Sequence, residues 1–424
     1  MASAAAIATA AVNSAVSMKD LTPSELDKSY ISYSDKEATF DEDGLPTVYD
    51  KDLIAVYWKR EKNALNARWA EFVKLSVPFL TRLTTLFITE GASNMGKHLA
   101  ILQDSVVPFE TSVAISQIES ELGGPLNTFF TSISSSPVAS ASLAQVYKAT
   151  TLSGLSVAVK VQRPSVLSQV SKDLYVLRRA AEVYQGLIDR FAPQQRTDYV
   201  ALLNEFAVGF YTELDFLNEG RNQERMRTLL LERGVRGITV PRFYEDLSTR
   251  RILVSDWVDG VKLSTCPTEE VKALTPIAQE AFLVQLLEVG LFHADPHPGN
   301  ILKLNTPGPN GEKLALIDFG LVAEIKPKDR DLFVQAIIHL ANRDYAQLVD
   351  DFINLKILPE DCDRVKVIPL MDKALSPYIK GGGAKTYEQE LRKTYGMDDS
   401  MVGGFQAMTQ DALTVLNDVP FSIP

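Results

Sequence analysis

Apolar residues recur at helical spacing from Leu53 to Glu90, in "LIAVYWKREKNALNARWAEFVKLSVPFLTRLTTLFITE". Pro78 is placed to break that run into two helices. An apolar stripe of this kind ordinarily packs on the body of a protein, and that reading is preferred here to docking on a membrane surface. A further helical stretch, Phe109–Leu122, stops at Gly123-Gly124. The period then falls to two over Thr131–Val138, Gln145–Thr150 and Ser156–Val161, and the last two strands meet at Leu152-Ser153-Gly154. Helical patterns follow at Ser165–Ile188 and Thr197–Leu230, then strands at Thr239–Tyr244 and Arg251–Ser255 around "EDLSTR". After Asp259-Gly260 the chain reads as helices, at Thr268–Ala273, Pro276–Leu291, Asp329–Leu340 and Tyr345–Ile353. A strand pair, Ile301–Leu304 and Leu314–Ile317, interrupts them around "NTPGPNGE". Five strands with inserted helices, followed by a helical half, predict an α+β, two-lobed fold with a cleft between the lobes. The corresponding division is residues 1–50 as leader and linker, 51–125 as a helical extension, 126–258 as the smaller lobe and 259–424 as the larger.

Composition narrows the function classes. The 424 residues are 46% hydrophobic and 23% charged, enough for a large core. Acidic residues outnumber basic ones 54 to 43, and a net charge of −11 leaves no electrostatic footprint for nucleic acid. The two cysteines, Cys266 and Cys362, have neither disulfide-framework nor zinc spacing. No apolar run is long enough to predict a spanning helix. Residues 1–18, "MASAAAIATAAVNSAVSM", hold Ala, Ser and Thr without an acidic residue. They read either as an organelle transit segment, although arginine is missing, or as an unstructured tail.

Four short stretches carry candidate chemistry. In "SVAVK" a β-branched strand ends at Lys160, whose ammonium is suited to the α- and β-phosphates of a nucleotide, although a strand lysine alone is ordinarily a solvated surface residue. "HADPHPGN", His293 to Asn300, sets Asp295 five residues before Asn300. That spacing offers a carboxylate to orient a hydroxyl or water and an amide oxygen to hold a metal. "LALIDFGLV" delivers Asp318 from an apolar strand as a second metal ligand, and Gly320 is expected to make the sharp turn that follows. "ELDFLNEGRN" brings Glu213, Asp215 and Glu219 together on a predicted helix, where one carboxylate is needed to pair Lys160. Taken singly, such residues belong to an acidic helix face; taken in this order, they make a phosphotransfer site. Asp256 and Val258, after the strand Arg251–Ser255, are placed for backbone contact with an adenine edge. Ahead of Lys160, Ala139-x-Ala141-x-x-Ala144-x-Val146 overlays the glycine pattern of a phosphate loop, with Ser140 and Ser142 between the alanines.

With "SSSPVASASLAQVYKA", "VAVKVQRP", "ELDFLNEGRN", "HADPHPGN" and "LIDFGLV" in order, the region Glu110–Phe352 resembles the UbiB proteins, also called aarF-domain-containing kinases, an atypical kinase-like family of bacteria, mitochondria and plastids. "YDKDLIAVYWKREKNALNARW" is similar to plant and cyanobacterial members and, with the leader, implies a plastid location at a plastoglobule or thylakoid surface, a mitochondrion being the alternative. The resemblance implies a two-lobed protein-kinase-like fold with an N-terminal helical extension and helices inserted in the small lobe. It implies ATP or ADP with Mg²⁺ as cofactors, and ATPase or lipid and small-molecule kinase activity in prenylquinone metabolism. Lys160 would grip the nucleotide with Glu219 as its partner, Glu213 and Asp215 would form the E-x-D element, Asp295 would be catalytic, and Asn300 and Asp318 would hold Mg²⁺. A nucleotide-binding pseudokinase or lipid-binding scaffold is the alternative, and a Ser/Thr protein kinase the second. No activation segment separates Asp318-Phe319-Gly320 from the helix after "LVAEIKPKDR", which disfavours a peptide substrate. Two departures stand out. The K-x-G-Q element of the family is replaced by "NMGKHLAILQD", Asn94–Asp104, and the chain ends at "VPFSIP", where relatives continue into further helices.

Overall fold

The computed structural model describes residues 39–61, 64–71, 74, 108–191 and 198–379. The leader, the break at Pro78, the stretch Asn94–Asp104 and the C-terminal "VPFSIP" lie outside the described residues. The chain divides into two compact units, one drawn from residues 1–81, 104–282 and 293–323, the other from 82–103, 283–292 and 324–424. Helices and sheets are mixed in the α+β manner the pattern predicts. No described helix is long and apolar enough to cross a membrane.

In the first unit, α1 (Lys51–Arg60) begins where the Asp50 carboxylate accepts from the Asp52 and Leu53 amides, and it buries Ile54 and Trp58. Trp58 Nε1 donates to Ser171 Oγ at 2.9 Å, tying α1 to α3 (Val166–Phe191). α2 (Thr111–Leu122) ends as expected at Gly123, whose φ of 72° is the left-handed value that favours glycine. The main sheet joins β1 (Phe130–Ile133), β2 (Ala139–Ser140), β3 (Ala144–Thr151), β4 (Ser156–Gln162) and β6 (Ile252–Asp256) in the order β1-β3-β4-β6, with β2 paired to β3. The strand expected over Thr131–Val138 stops at Ile133, because Ser134 turns the chain through a bond from its hydroxyl to Ser136 C=O. Alternation along β4 sends Val157, Val159 and Val161, all fully buried, toward Ala114 and Ile118 of α2 and Tyr147 of β3. The same alternation turns Lys160 to the opposite face.

Three elements depart from the pattern. The helix expected over Thr197–Leu230 is two helices, α4 (Tyr199–Glu213) and α5 (Phe216–Glu232), because Asp215 leaves helical geometry at φ −105°, ψ 89° and accepts from Asn218 N to start α5. The strand expected over Thr239–Tyr244 shrinks to β5 (Ile238–Thr239), since Pro241 brings no N–H to a ladder. β5 runs parallel to β10 (Leu314–Leu316) in a second sheet ordered β5-β10-β9-β7, with β7 at Gly260–Lys262 and β9 at Ile301–Leu304, and the expected pairing with β6 survives as one bridge, Phe243 to Ser255. The helix expected to break before Pro276 runs unbroken as α6 (Thr268–Val284), with Leu274 and Ala281 burying one face. It continues as a π-turn over Gln285–Val289 to Gly290, so the residues expected to end it supply β8 (Leu291–His293). β11 (Val322–Glu324) follows the second sheet.

The second unit packs α7 (Pro327–Ala341), α8 (Tyr345–Asn354) and α9 (Arg364–Ile379) around Leu348, Val349, Val367 and Met371. The sequence reading places no element over α9, which accommodates Pro369 and Pro377.

Candidate functional site

Lys160 leaves the solvent-distal valines of β4 for the opposite face and meets the first turns of α5. Its ammonium lies 2.7 and 2.9 Å from the two carboxylate oxygens of Glu219 and 3.5 Å from Asp318 Oδ1. Phe216 covers it from one side, with the ring centroid 5.0 Å from Nζ. Glu219 is 3% exposed, and burial pushes its carboxyl up to about 7, a shift Lys160 offsets in part. Burial acts to lower the Lys160 pKa, but the charges of Glu219 and Asp318 outweigh it and hold the ammonium protonated. Asp318 is lowered, first by the Lys160 charge and further by a hydrogen bond from the Gly320 backbone. The trio therefore presents a fixed cation with one carboxylate buried against it and one, Asp318, half-exposed.

The cap that splits α4 from α5 also separates the acidic residues of "ELD". Glu213 ends α4 with its carboxyl raised by burial and by repulsion from Asp318, an effect Lys160 opposes. Asp215 instead accepts from Asn218 N at 3.2 Å as the α5 cap. Close packing sets the angle of α5: a Cβ on Gly220 would lie 2.1 Å from Cε2 of the Phe243 ring.

The turn after β10 differs from expectation. Gly320 is not the residue in the left-handed region; Asp318 itself is, at φ 66°, which aspartate tolerates better than most side chains. At Gly320 a Cβ would sit 3.5 Å from Glu213 Cγ and 3.6 Å from Asp318 Oδ1, ordinary contact distances, so the turn does not require glycine there for space.

β8 delivers the loop "HADPHPGN". His293, 1% exposed, accepts from Asp295 N on Nδ1 at 3.1 Å, so its proton is on Nε2, which donates to Ile317 C=O at 3.2 Å. Its ring also packs on Phe319, with centroids 5.1 Å apart. One buried imidazole thus joins the Asp295 loop to the Asp318 turn, a role the sequence reading did not assign; the first histidine of the string was the available signal. Asn300 Nδ2 donates to Asp295 C=O at 3.1 Å and to Asp295 Oδ2 at 3.3 Å, which leaves the amide oxygen as the atom for a ligand. His297, also unassigned in the sequence, accepts from Gly299 N at 2.9 Å and turns Nε2 to within 3.5 Å of Asp295 Oδ2.

The alanine-rich stretch is a β-hairpin: Ala139 pairs with Val146, and Ser140 with Gln145. None of its residues has positive φ, so the turn makes no use of the freedom that glycine would bring. Val146 lies opposite Lys160 across β3 and β4. The Ala144 side chain, 2% exposed, packs with Phe216, Phe243 and Leu253, so only its backbone faces the hairpin turn at Ala141, Ser142 and Leu143. At the end of β6, Asp256 is largely committed: its amide donates to Arg242 C=O at 3.0 Å, and its carboxylate accepts from Tyr244 OH at 2.7 Å and Arg242 N at 3.1 Å. Burial, together with that hydrogen bond, raises the Tyr244 phenol to about 12. Trp257 N closes the sheet on Ser156 C=O, while Val258 N–H makes no hydrogen bond among the described residues.

Residues 101–352 match the ABC1 atypical kinase-like domain. Two curated relatives from Arabidopsis thaliana are similar to this chain. An uncharacterized chloroplastic aarF domain-containing protein kinase is 40% identical over 67% of the chain, and the chloroplastic protein ACTIVITY OF BC1 COMPLEX KINASE 3 is 36% identical over 76%. The chain spans 39% and 45% of their respective lengths. Among solved structures, that of Rv3197 from Mycobacterium tuberculosis, in its complex with erythromycin, matches with a TM-score of 0.53 and 21% identity, over 82% of this chain and 93% of that one.

Proposed function

Because the chain belongs to the ABC1 atypical kinase-like family, we propose that this site binds ATP or ADP with Mg²⁺ and that the protein is an ATPase or a lipid or small-molecule kinase supporting prenylquinone metabolism in plastids. The observation that carries the nucleotide reading is the buried Lys160–Glu219 pair, with Asp318 at 3.5 Å from the same ammonium. A lysine fixed this way presents its charge at one point in space, as phosphate binding requires. The chloroplastic names of both Arabidopsis relatives support the plastid assignment.

The residues fit a magnesium nucleotide. Asp318 and the free amide oxygen of Asn300 are hard oxygen donors, and Mg²⁺ takes one or two such ligands from protein and the rest from phosphates and water. Bound there, the ion would neutralise charge developing on the transferred phosphoryl group. Glu213, at the end of α4, adds a second carboxylate beside the Asp318 turn. Asp295, tethered by Asn300 and by His293, orients a hydroxyl or water for attack. Val258 N–H offers the adenine edge a donor; Asp256 contributes through its backbone carbonyl, its amide and carboxylate being engaged. Ser140 and Ser142 stand nearest the phosphates in the hairpin that replaces a glycine loop. The two-lobed division at residues 258 and 259 belongs to the same reading.

The test is an ATPase assay of the purified protein, with and without a quinone-like lipid, beside thermal shifts with ATP, ADP and Mg²⁺. Asp318→Asn abolishes Mg²⁺-dependent binding or hydrolysis on this reading, and Lys160→Arg weakens turnover. Unchanged hydrolysis in Asp318→Asn would sink the metal assignment. Nucleotide binding without turnover in the unmodified protein would favour the scaffold role.

A further inference from the structure

A two-residue hairpin turn is normally closed by a reciprocal pair of backbone hydrogen bonds. In the alanine-rich turn only one of them forms among the described residues: Ala141 N donates to Ala144 C=O at 2.8 Å, and no bond returns to the Ala141 carbonyl from Ala144. That carbonyl accepts instead from Arg163 Nε at 2.9 Å. A second guanidinium nitrogen of Arg163 donates to Ser140 Oγ at 2.9 Å, and the Arg163 backbone N–H donates to Leu143 C=O at 2.8 Å. Three points of the turn, Ser140, Ala141 and Leu143, are therefore held by one residue. Phe109 supports the guanidinium, with its ring centroid 5.6 Å away, and Phe109 C=O accepts from Gln145 Nε2 on β3.

Arg163 directly follows β4, the strand that carries Lys160. The turn and the phosphate-binding lysine are thus anchored to the same strand, three residues apart. A planar guanidinium suits this work because its donors are fixed relative to one another, so holding two acceptors leaves the turn little freedom to tilt; an ammonium is a single rotating point. Backbone without glycine is already stiff, and the guanidinium fixes its direction as well.

We propose that Arg163 is a positioning residue for the nucleotide: it locks the alanine-rich turn at a set distance from Lys160, so that Ser140 and Ser142 meet the phosphates without a closing motion of the turn. The effect on nucleotide rests on the function proposed above; the lock itself does not. Arg163 touches no reacting group in this scheme and acts only through the turn.

Hydrogen exchange of residues 138–144 in the nucleotide-free full chain tests the lock, with wild type, Arg163→Lys and Arg163→Gln compared. Exchange in that stretch should rise about tenfold in Arg163→Gln and less in Arg163→Lys, while β6 stays protected. Titration of the same three proteins with Mg-ADP and Mg-ATP should then show dissociation constants about fivefold weaker in Arg163→Gln, with partial recovery in Arg163→Lys. Unchanged exchange in both variants overturns the lock. Faster exchange with unchanged dissociation constants, in a wild type that binds nucleotide, overturns the positioning role. If the wild type binds neither nucleotide, the proposed function fails, and the exchange data still decide whether Arg163 holds the turn. Loss of protection across β6 as well would mean that Arg163 is a general structural support, and would overturn the proposal.

Discussion

Gly220→Ala sets helix propensity against packing, and the two predict opposite signs. Inside a helix alanine is favoured over glycine by about 1 kcal/mol, so α5 considered alone gains from the change. The added Cβ, however, would lie 2.1, 2.4 and 2.5 Å from three atoms of the Phe243 ring. Carbon atoms pack at about 3.5 Å or more, so the nearest contact overlaps by about 1.4 Å. Phe243 is 6% exposed and enclosed by Ala144, Phe216 and Leu253, which gives the ring no open space to swing into. Overpacking of this kind costs about 1–3 kcal/mol, at the upper end where the neighbour is a caged aromatic ring, leaving a net loss of about 2 kcal/mol after the propensity gain. Urea unfolding should show that loss, and calorimetry a midpoint lower by about 4–8 °C. Because Glu219 is the preceding residue, displaced α5 also pulls its carboxylate from Lys160 and weakens nucleotide binding. Phe243→Leu introduced into the Gly220→Ala protein should recover part of the loss. A Gly220→Ala protein as stable as wild type, or more so, would refute the argument, since it would mean that propensity rather than the ring contact governs this position.

Three more outcomes follow from the same region. Glu219→Ala removes the nearer carboxylate from a part-buried ammonium that Asp318 still faces and should cost about 3 kcal/mol, whereas Lys160→Met combined with Glu219→Leu should recover most of it; equal losses in the single and double variants, measured by urea unfolding, would show that charge is not the cause. Glu213 has a folded-state pKa above its unfolded value, so its contribution to stability is complete below about pH 4.5 and is lost as pH rises through the folded value. Glu213→Gln should therefore raise the melting midpoint of the nucleotide-free protein at pH 8 more than at pH 4, and a constant difference across that range would contradict the burial argument. Asp215→Ala removes the cap of α5 and should cost about 1 kcal/mol, with a larger drop in nucleotide affinity than in stability; loss of stability without loss of affinity would separate the cap from the site.

The chemistry-bearing strings were legible because each is contiguous. "VAVK" is a buried strand with one polar position, "HADPHPGN" follows an apolar helix and runs into a strand, and Asp318 follows another strand, so hydrophobic period alone put Lys160, Asn300 and Asp318 on or beside strands. Period does not register a one-residue break where both sides remain helical. Glu213 and Asp215 therefore read as neighbours on one helix, whereas the Asp215 cap leaves one at the end of α4 and puts the other at the start of α5. Pro276 sits inside a continuous helix whose buried face outweighs one missing hydrogen bond, so the break expected before it does not occur.

By itself, then, the sequence determined which residues are candidates for phosphate and metal, and on what kind of element most of them lie, because side-chain type and alternation are local properties. Only the tertiary structure decided who meets whom. It chose among the three carboxylates that spacing left open and seated Glu219, the one the resemblance named, against Lys160, put the strained φ on Asp318 rather than on Gly320, and gave the alanine-rich turn to Arg163. Those choices depend on the angle at which α5 packs against Phe243 and on the registers of β2, β3 and β4, and long-range packing of that kind has no signature in the spacing of residues along the chain.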